Sequence, residues 1–281
     1  MAGRVRAIKS RIANIENIAQ ITRAMHTIAM TKVMRMKRRL EVERPFIASL
    51  DRFIASLLGQ VSPEMERHPL TIDNGSKDTA VLVLNADRGL CGRYKDDLNR
   101  RVLELLGDGG KVLAGGEKAR LFFQRKGIAP LESYPHLYDA PSWAAAATIA
   151  DDAIRLYLEG EFGRLIVVYM RFISDLSQRL VVEDLLPVRV EPRAGDMLIE
   201  PDLSSLLDQA IPFYVRGRVY SAILETKTSE DAIRRQAMKS ATDNAEDLLK
   251  GLTRAYNKAR QQAITREIAD IIGGAEAIRA G

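Results

Sequence analysis

The six residues Asp87-Arg88-Gly89-Leu90-Cys91-Gly92 form the motif best placed for ligand chemistry, since they follow a predicted strand and precede a predicted helix. Glycine backbones and helix N-termini at that edge of an α/β sheet attract phosphate groups. Gly89 and Gly92, followed by Arg93, do not fit the dinucleotide spacing G-x-G-x-x-G, and no Gly-Lys-Ser/Thr sequence completes a phosphate loop. We therefore interpret the motif as a tight structural turn, with nucleotide binding as the alternative.

Other residue types that support catalysis or metal binding are scattered. Cys91 is the single cysteine; at a helix N-terminus its thiol would be reactive, and a buried small residue in the turn is the favoured alternative. His26, His68 and His136 lie in separate predicted elements without metal-binding spacing. The sequence thus predicts no catalytic centre, no metal site and no cofactor.

Charge is concentrated at the start of the chain. The 281 residues carry a net charge of +5, but residues 1–44 hold eleven Lys or Arg and three Glu, a local net charge of +8. Such a segment suits nucleic acid, an anionic membrane surface or an acidic protein partner. No aromatic residue lies before Pro45 to stack on a base, and no apolar stretch approaches the ~20 residues of a membrane span. A solvated face remains open for the run Arg35 to Arg39.

Two long helices must position these features. Helical periodicity runs from Arg4 to about Leu58, with apparent slips of register, and Pro45 is expected to bend or break it. The stripe on this helix is predicted at Val5, Ile8, Ile12, Ile15, Ile18, Ile21, Met25, Ile28, Val33, Met36 and Leu40. A second helical pattern runs from Leu203 to Ile272, and its stripe is predicted at Ile233, Ala237, Ala241, Ala245, Leu248, Leu252, Ala255, Ala259 and Ala263. Because both stripes need a partner, we expect an antiparallel coiled coil.

Between the helices the pattern changes to alternating strands and helices. The predicted strands are Thr79–Asn85, Lys111–Ala114, Leu165–Arg171 and one or two within Gln178–Val190, and the predicted helices are Tyr94–Leu106, Gly116–Arg125 and Trp143–Leu158. This order is typical of a mainly parallel sheet. The predicted fold class is α/β plus long helices, an antiparallel coiled coil with an inserted Rossmann-like α/β domain. The predicted divisions are a helix at 1–60, a linker at 61–78, the α/β domain at 79–200 and a helix at 201–281.

Several segments closely resemble one known family, the γ subunits of F-type ATP synthases. The matching segments are Ile21-Thr22-Arg23-Ala24-Met25, the turn motif Asp87 to Gly92, Gln236-Ala237-Met238-Lys239-Ser240-Ala241-Thr242-Asp243-Asn244-Ala245, Tyr256-Asn257-Lys258-Ala259-Arg260-Gln261 and Ile264-Thr265-Arg266-Glu267-Ile268. The C-terminal run is the most specific, because many residues recur in one register. The sequence departs from the family at Arg93-Tyr94-Lys95, which replace a glycine and an asparagine.

The resemblance implies a non-catalytic rotor shaft. Its partners would be the α and β subunits of a catalytic hexamer, the ε subunit and the c-ring of the membrane rotor, with no nucleic acid and with membrane contact only through the complex. The location would be peripheral, on the cytoplasmic side of a bacterial cell membrane. The implied subunit contacts are Met25, Lys32, Arg234, Arg260, Gln261, Thr265 and Glu267. The alternatives are a basic coiled-coil nucleic-acid-binding protein and a nucleotide-using α/β enzyme.

Overall fold

Two helices at the ends of the chain are by far its longest elements. The computed structural model describes residues 2–62, 65, 67–107, 109–193, 195, 198–200 and 202–280. Helix α1 spans Ala2–Leu58 and helix α5 spans Leu203–Ala280. Pro45 and Pro212 lie inside these helices without ending them, so the predicted break at Pro45 is wrong.

The inward face of α1 follows an unbroken heptad pattern. The buried and half-buried positions alternate by three and four residues: Val5, Ile8, Ile12, Ile15, Ala19, Thr22, His26, Ala29, Val33, Met36, Leu40, Glu43, Ile47, Leu50, Ile54 and Leu57. A strict 3.5-residue repeat is the signature of a coiled-coil seam. We call this set the α1 seam.

The α1 seam corrects the predicted stripe in its middle part. Ile18, Ile21 and Ile28 were expected to face the partner helix, but they are 47%, 59% and 57% exposed. Ala19 and Ala29 take the inward positions instead. The apparent slips of register therefore do not exist; two apolar stripes run side by side on α1, and only one of them packs within this chain.

The distal part of α5 shows the same period. Its inward positions are Met238, Thr242, Ala245, Leu249, Leu252, Tyr256, Ala259 and Ala263. Leu248 and Ala255, which the predicted stripe included, are exposed. The predicted stripe places apolar residues mostly four positions apart, whereas the inward positions of α5 alternate by three and four. The two patterns therefore diverge along the helix.

Specific pairs fix the direction of the two helices. In the unit formed by Met1–Ile28 and Arg235–Gly281, the hydroxyl of Thr242 donates to that of Thr22 at 2.8 Å, and Arg23 pairs with Glu246 at 2.6 Å. We call this the coiled-coil unit.

The second unit, Ala29–Arg234, is called the α/β unit and shows the same polarity. There Arg44 pairs with Glu225 at 2.7 Å and Asp51 with Arg218 at 3.2 Å. In the α/β unit the partner number on α5 falls from 225 to 218 as the number on α1 rises from 44 to 51. In the coiled-coil unit Val5 and Lys9 lie beside Ala263, whereas Thr22 contacts Thr242. The predicted antiparallel arrangement is therefore confirmed in each unit.

The α/β unit contains one five-stranded sheet. Its elements in chain order are β1 (Thr79–Leu84), α2 (Tyr94–Leu106), β2 (Lys111–Gly115), α3 (Glu117–Arg125), β3 (Glu132–Tyr134), α4 (Trp143–Leu158), β4 (Arg164–Ser174) and β5 (Ser177–Leu186). The strand order is β3-β2-β1-β4-β5, all pairs being parallel except β4 with β5. The predicted mainly parallel sheet is confirmed, with bounds that agree within a few residues; only β3 was missed.

Two cores lie on opposite faces of the sheet. Ala80, Leu82 and Leu84 of β1 pack into a core shared with α1, α4 and α5, whereas Val81 and Val83 pack against α2 and α3. A strand buried on both faces reads as a continuous apolar run, as TAVLVL does. The result is a three-layer α/β/α sandwich, which agrees with the predicted Rossmann-like domain. Residues 61–78, predicted as a linker, include a short 3-10 turn at Pro69–Thr71.

Candidate functional site

Four of the expected contact residues lie together near the end of α5. All four are exposed: Arg260, Gln261, Thr265 and Glu267. Their neighbour Ala259 is buried at an inward position of α5. The Thr265 hydroxyl donates to the backbone carbonyl of Gln261 at 3.0 Å, within the helix itself, and the Gln261 side chain is exposed. This end of α5 therefore presents polar groups outward that packing within the chain does not use.

A cleft opens between the two helices at the same level. It has a volume of about 550 Å³, and Arg260 and Glu267 line it together with Arg6 and Lys9 of α1. Three cations and one carboxylate make this end of the coiled-coil unit predominantly positive. Charged side chains around a cleft suit polar loops of a partner protein.

Met25 and Lys32, the expected contacts on α1, are both half-buried. Met25 belongs to the coiled-coil unit and Lys32 to the α/β unit. Neither position belongs to the α1 seam, and each keeps part of its side chain free for a partner. Their assignment as subunit contacts stays a prediction.

Arg234 differs from the other expected contact residues because it is buried, with 9% of its surface exposed. Its guanidinium pairs with Asp231 at 2.7 Å and with Glu230, and Lys227 approaches the same two carboxylates at 3.2 and 3.4 Å. Two cations thus balance two carboxylates inside the α/β unit. Breaking such a cluster leaves a buried charge without its partner.

Arg234 also contacts the turn motif, a juxtaposition that the sequence did not suggest. Its Nε and Nη2 atoms lie 3.4 Å from the Gly89 carbonyl oxygen, close enough to donate hydrogen bonds. Gly92, at φ +59°, lies against Ile233, where a side chain at Cβ would come within 3.6 Å of Ile233 Cγ2. The motif therefore contacts α5 through its backbone.

Asp87 organises the turn itself. Its carboxylate accepts hydrogen bonds from three backbone amides: Glu117 at 2.9 Å, His136 at 3.0 Å and Tyr138 at 2.8 Å. One of these amides belongs to the first residue of α3 and the other two to the loop after β3, so the carboxylate occupies the position at which an anionic ligand would meet these backbone donors. The interpretation of the motif as a structural turn agrees with this geometry.

The remaining residues of the turn motif differ in their surroundings. Arg88 pairs with Asp139 at 2.8 Å on the surface, and Leu90 is exposed with φ +64°. Cys91 is 1% exposed, and burial raises the pKa of its thiol. A raised pKa disfavours the thiolate, so the observed burial agrees with the favoured interpretation of Cys91 as a small buried residue of the turn.

Sequence reasoning missed the most unusual segment of α5. The seven residues Glu225-Thr226-Lys227-Thr228-Ser229-Glu230-Asp231 are polar, and all are buried. Ser229 donates to the Met170 carbonyl of β4 at 3.0 Å, and Glu225 accepts from the Phe172 amide at 2.9 Å. By composition this segment resembles a solvated helix surface, so its burial is a result of the tertiary structure.

Neither metal sites nor membrane spans emerge from the part of the chain that the structure describes. Across its described ranges, no group of three or more His, Cys, Asp or Glu side chains could hold a metal ion. None of the described helices is long and apolar enough to cross a bilayer.

Comparison with known proteins gives one consistent result. The chain matches the family model described as ATP synthase over residues 4–278. The ATP synthase gamma chain of Parafrankia sp. (strain EAN1pec) is 37% identical over 300 aligned positions that cover 100% of both chains. That of Chlorobium luteolum (strain DSM 273 / BCRC 81028 / 2530) is 33% identical, covering 97% of this chain and 98% of the relative.

The fold is likewise similar to that of a solved structure. One chain in a cryo-EM structure of Euglena gracilis mitochondrial ATP synthase, OSCP/F1/c-ring, rotational state 3, superposes with a TM-score of 0.73. The sequences are 19% identical, and the match covers 100% of this chain and 96% of that chain. The coiled coil and the inserted sheet are thus an arrangement found in another organism's protein.

Proposed function

The chain belongs to the ATP synthase γ chain family, and we propose that it is the non-catalytic central shaft of a rotary F-type ATP synthase. In this role it passes torque between an ion-driven membrane ring and a catalytic hexamer of α and β subunits. The two alternative functions, nucleic-acid binding and nucleotide-using catalysis, find no support in the family match.

The observation that carries this proposal is the second apolar stripe on the coiled-coil unit. Ile18, Ile21 and Ile28 are exposed on α1, and Ile264 and Ile268 are exposed on α5. Isolated soluble proteins rarely leave a long row of large apolar side chains uncovered. A pair of helices enclosed by a sleeve of other subunits requires such side chains, because its outer surface then becomes an interface.

The mechanism needs no chemistry on this chain. An asymmetric shaft that contacts each catalytic subunit differently stabilises a different conformation of each one. Turning the shaft exchanges these contacts in sequence, so torque shifts the conformational populations that bind substrates and release ATP. Hydrolysis drives the same exchange in reverse.

The exposed residues at the end of α5 are the proposed contacts with the hexamer. Arg260, Gln261, Thr265 and Glu267 offer both donors and acceptors on an outward surface. Met25 and Lys32 are the proposed contacts on α1, where a cation would complement an acidic loop. For Arg234 we propose a supporting role, since the buried cluster already engages its guanidinium.

The same family membership supports a proposal for the finer features of the assembly. We propose that the chain binds an ε subunit and the c-ring through its α/β unit, and that the complex lies at the cytoplasmic side of a bacterial membrane. Co-purification of the assembled complex from its natural membrane, followed by subunit identification, tests each of these partners separately.

The contact proposal is tested by the double variant Gln261→Ala/Thr265→Ala in the assembled complex. A net hydrogen bond contributes about 0.5–1.5 kcal/mol, and 1.4 kcal/mol corresponds to about tenfold in rate. We therefore expect ATP turnover to fall by roughly threefold or more. Helicity and melting of the purified chain should not change, because both side chains are exposed.

A matched control uses the same residue types on the α/β unit. Gln124 is exposed on α3, and Thr148 donates to the Ala144 carbonyl at 3.2 Å, as Thr265 does to its own helix. Gln124→Ala/Thr148→Ala should leave turnover within error of the parent complex. Full turnover in a correctly assembled Gln261→Ala/Thr265→Ala complex would remove the proposed contacts.

A further inference from the structure

A groove on the α/β unit is lined mainly by aromatic side chains. Helices α1, α4 and α5 enclose it, and its volume is about 720 Å³. Four rings come from these helices: Phe46, Trp143, Phe213 and Tyr220. They include the only tryptophan of the chain. None of the seven predicted contact residues lines this groove.

The rings form one connected cluster. Phe213 lies 6.4 Å from Phe46, nearly perpendicular to it, and 5.1 Å from Trp143, while Trp143 lies 5.6 Å from Tyr220. The first and third contacts are edge-on and the Trp143–Phe213 contact is tilted at 42°, and together they hold the rings in place. Phe46 and Phe213 nevertheless stay exposed, so the cluster presents a preformed apolar surface to solvent.

Guanidinium groups border the groove at one end. Arg35 and Arg38 are exposed, and neither has a salt bridge within the described ranges of the chain. Arg39 instead donates to the Tyr220 hydroxyl at 2.7 Å and to the Pro141 carbonyl at 3.0 Å. These two hydrogen bonds hold its side chain between the exposed arginines and the aromatic rings. Two uncommitted cations beside an apolar surface complement a ligand with one anionic end.

Among the described residues that line the groove, Glu43 is the acidic one, and its side chain is buried rather than presented to solvent. It is 6% exposed, and burial raises the pKa of its carboxyl, with Glu225 adding to the increase. Its carboxyl oxygens have no hydrogen-bond partner among the described residues. Burial thus shifts this carboxyl toward its neutral form relative to a free glutamate, while Ser221, Arg44 and Arg218 act in the opposite direction.

The dimensions favour a small molecule over a protein. From Arg35 to Phe46 the groove follows α1 for about 16 Å at 1.5 Å per residue. Its volume lies within the range of about 300–1,000 Å³ that is usual for ligand pockets. A stable protein interface buries about 800 Å² per partner, which exceeds what three helical turns provide.

We propose that this groove binds an amphiphilic carboxylate, whose apolar tail lies on the four rings and whose carboxylate pairs with Arg35 and Arg38. The ligand chemistry covers both an alkyl chain, as in a fatty acid, and an aromatic body. The site lies within this chain and does not depend on the rotary role.

Trp143 makes the binding test direct, because its fluorescence reports on the groove alone. Dodecanoate and 1-naphthoate, titrated separately into the full chain below micelle-forming concentrations, distinguish the alkyl and the aromatic source. We expect a saturable change with at least one of them. Dodecyltrimethylammonium, with the same tail and a positive head, should give no saturable change.

Removing the two cations should weaken binding at least tenfold. The test variant is Arg35→Gln/Arg38→Gln. Should it fold poorly, Arg35→Lys/Arg38→Lys keeps the charges but loses the planar guanidinium donors, and it should bind more weakly than the parent and more tightly than a variant without the two cations. Arg52→Gln/Arg100→Gln removes two exposed cations outside the groove and should change the affinity less than twofold.

Three results of the titrations would overturn the proposal. They are absence of a saturable response to both anions, an equal response to the cationic amphiphile, and unchanged affinity in Arg35→Gln/Arg38→Gln. A diazirine-labelled dodecanoate applied to the assembled complex should also label the groove. Labelling of the free chain without labelling in the complex would identify the groove as a protein interface and would reject the ligand site.

Discussion

Glu43 occupies a seam position where a coiled coil normally places an apolar residue, and replacing it with leucine should stabilise the chain. Its carboxyl is buried between α1 and α5, and its oxygens make no well-formed hydrogen bond among the described residues, although the Ser221 side chain lies near enough to oppose the increase in its pKa. An unsatisfied buried polar group costs about 1–3 kcal/mol. Glu43→Leu should therefore raise the free energy of unfolding by about 1–3 kcal/mol near pH 7, or about 2–4 °C in melting temperature per kcal/mol.

The pH dependence of this gain has a definite sign. Burial raises the pKa of Glu43 in the folded chain above its ordinary value of 4.5. Between the unfolded and the folded pKa, the native state holds a proton that the unfolded state has lost, so parent stability falls as pH rises through that window. Glu43→Leu lacks this loss. Its advantage should therefore be larger near pH 7 than near pH 4.

Urea unfolding at both pH values, followed by circular dichroism, measures the effect. Glu43→Gln separates the charge from the packing and should give a smaller gain with the same pH trend. Glu41→Gln, at an exposed position two residues away, should change stability by less than about 0.5 kcal/mol. A Glu43→Leu variant that is no more stable than the parent at pH 7, or equally stabilised at both pH values, would refute the reasoning.

Three further substitutions test the buried features of the α/β unit. Arg234→Gln should destabilise the chain by about 3 kcal/mol or more, because it removes the cation that pairs with two buried carboxylates. Arg260→Gln should change the melting temperature little, and equal effects of the two substitutions would contradict the buried cluster. Asp87→Ala removes a charged acceptor of three amides and should cost about 3 kcal/mol in urea unfolding, whereas the exposed Asp139→Ala should cost under about 1 kcal/mol. Cys91 should resist iodoacetamide in the native chain and react on unfolding, since it is buried with a raised thiol pKa; rapid native labelling would disprove this.

Local patterns determined most of the secondary structure. Tyr94–Leu106 and Trp143–Leu158 have the predicted bounds, because each is a short amphipathic segment between clear turn signals. The buried strand β1 was predicted from its unbroken apolar run. The order of strands and helices also predicted the mainly parallel sheet, since the handedness of β-α-β connections leaves few alternatives. β3, only three residues long, carried too little pattern to be recognised.

Tertiary structure decided which of two apolar stripes on α1 faces inward. Ile21 and Ile28 are more hydrophobic than Ala19 and Ala29, so composition favoured the wrong stripe. The packing of α5 requires a constant 3.5-residue period and small side chains at close approach, and these conditions select the alanines. The outward isoleucines are left for a partner that the sequence does not contain.

Local sequence patterns also could not predict which distant residues meet at the turn motif and in the groove. Arg234 and Gly89 are separated by 145 residues, and the rings of the groove come from three helices. Residues 225–231 are polar in composition and buried in fact, because α1, β4 and the turn motif enclose α5 on several sides. The sequence of a segment determines which secondary structure the segment can form. Only the packing of the whole chain determines which polar side chains are removed from solvent and which apolar side chains stay exposed to it.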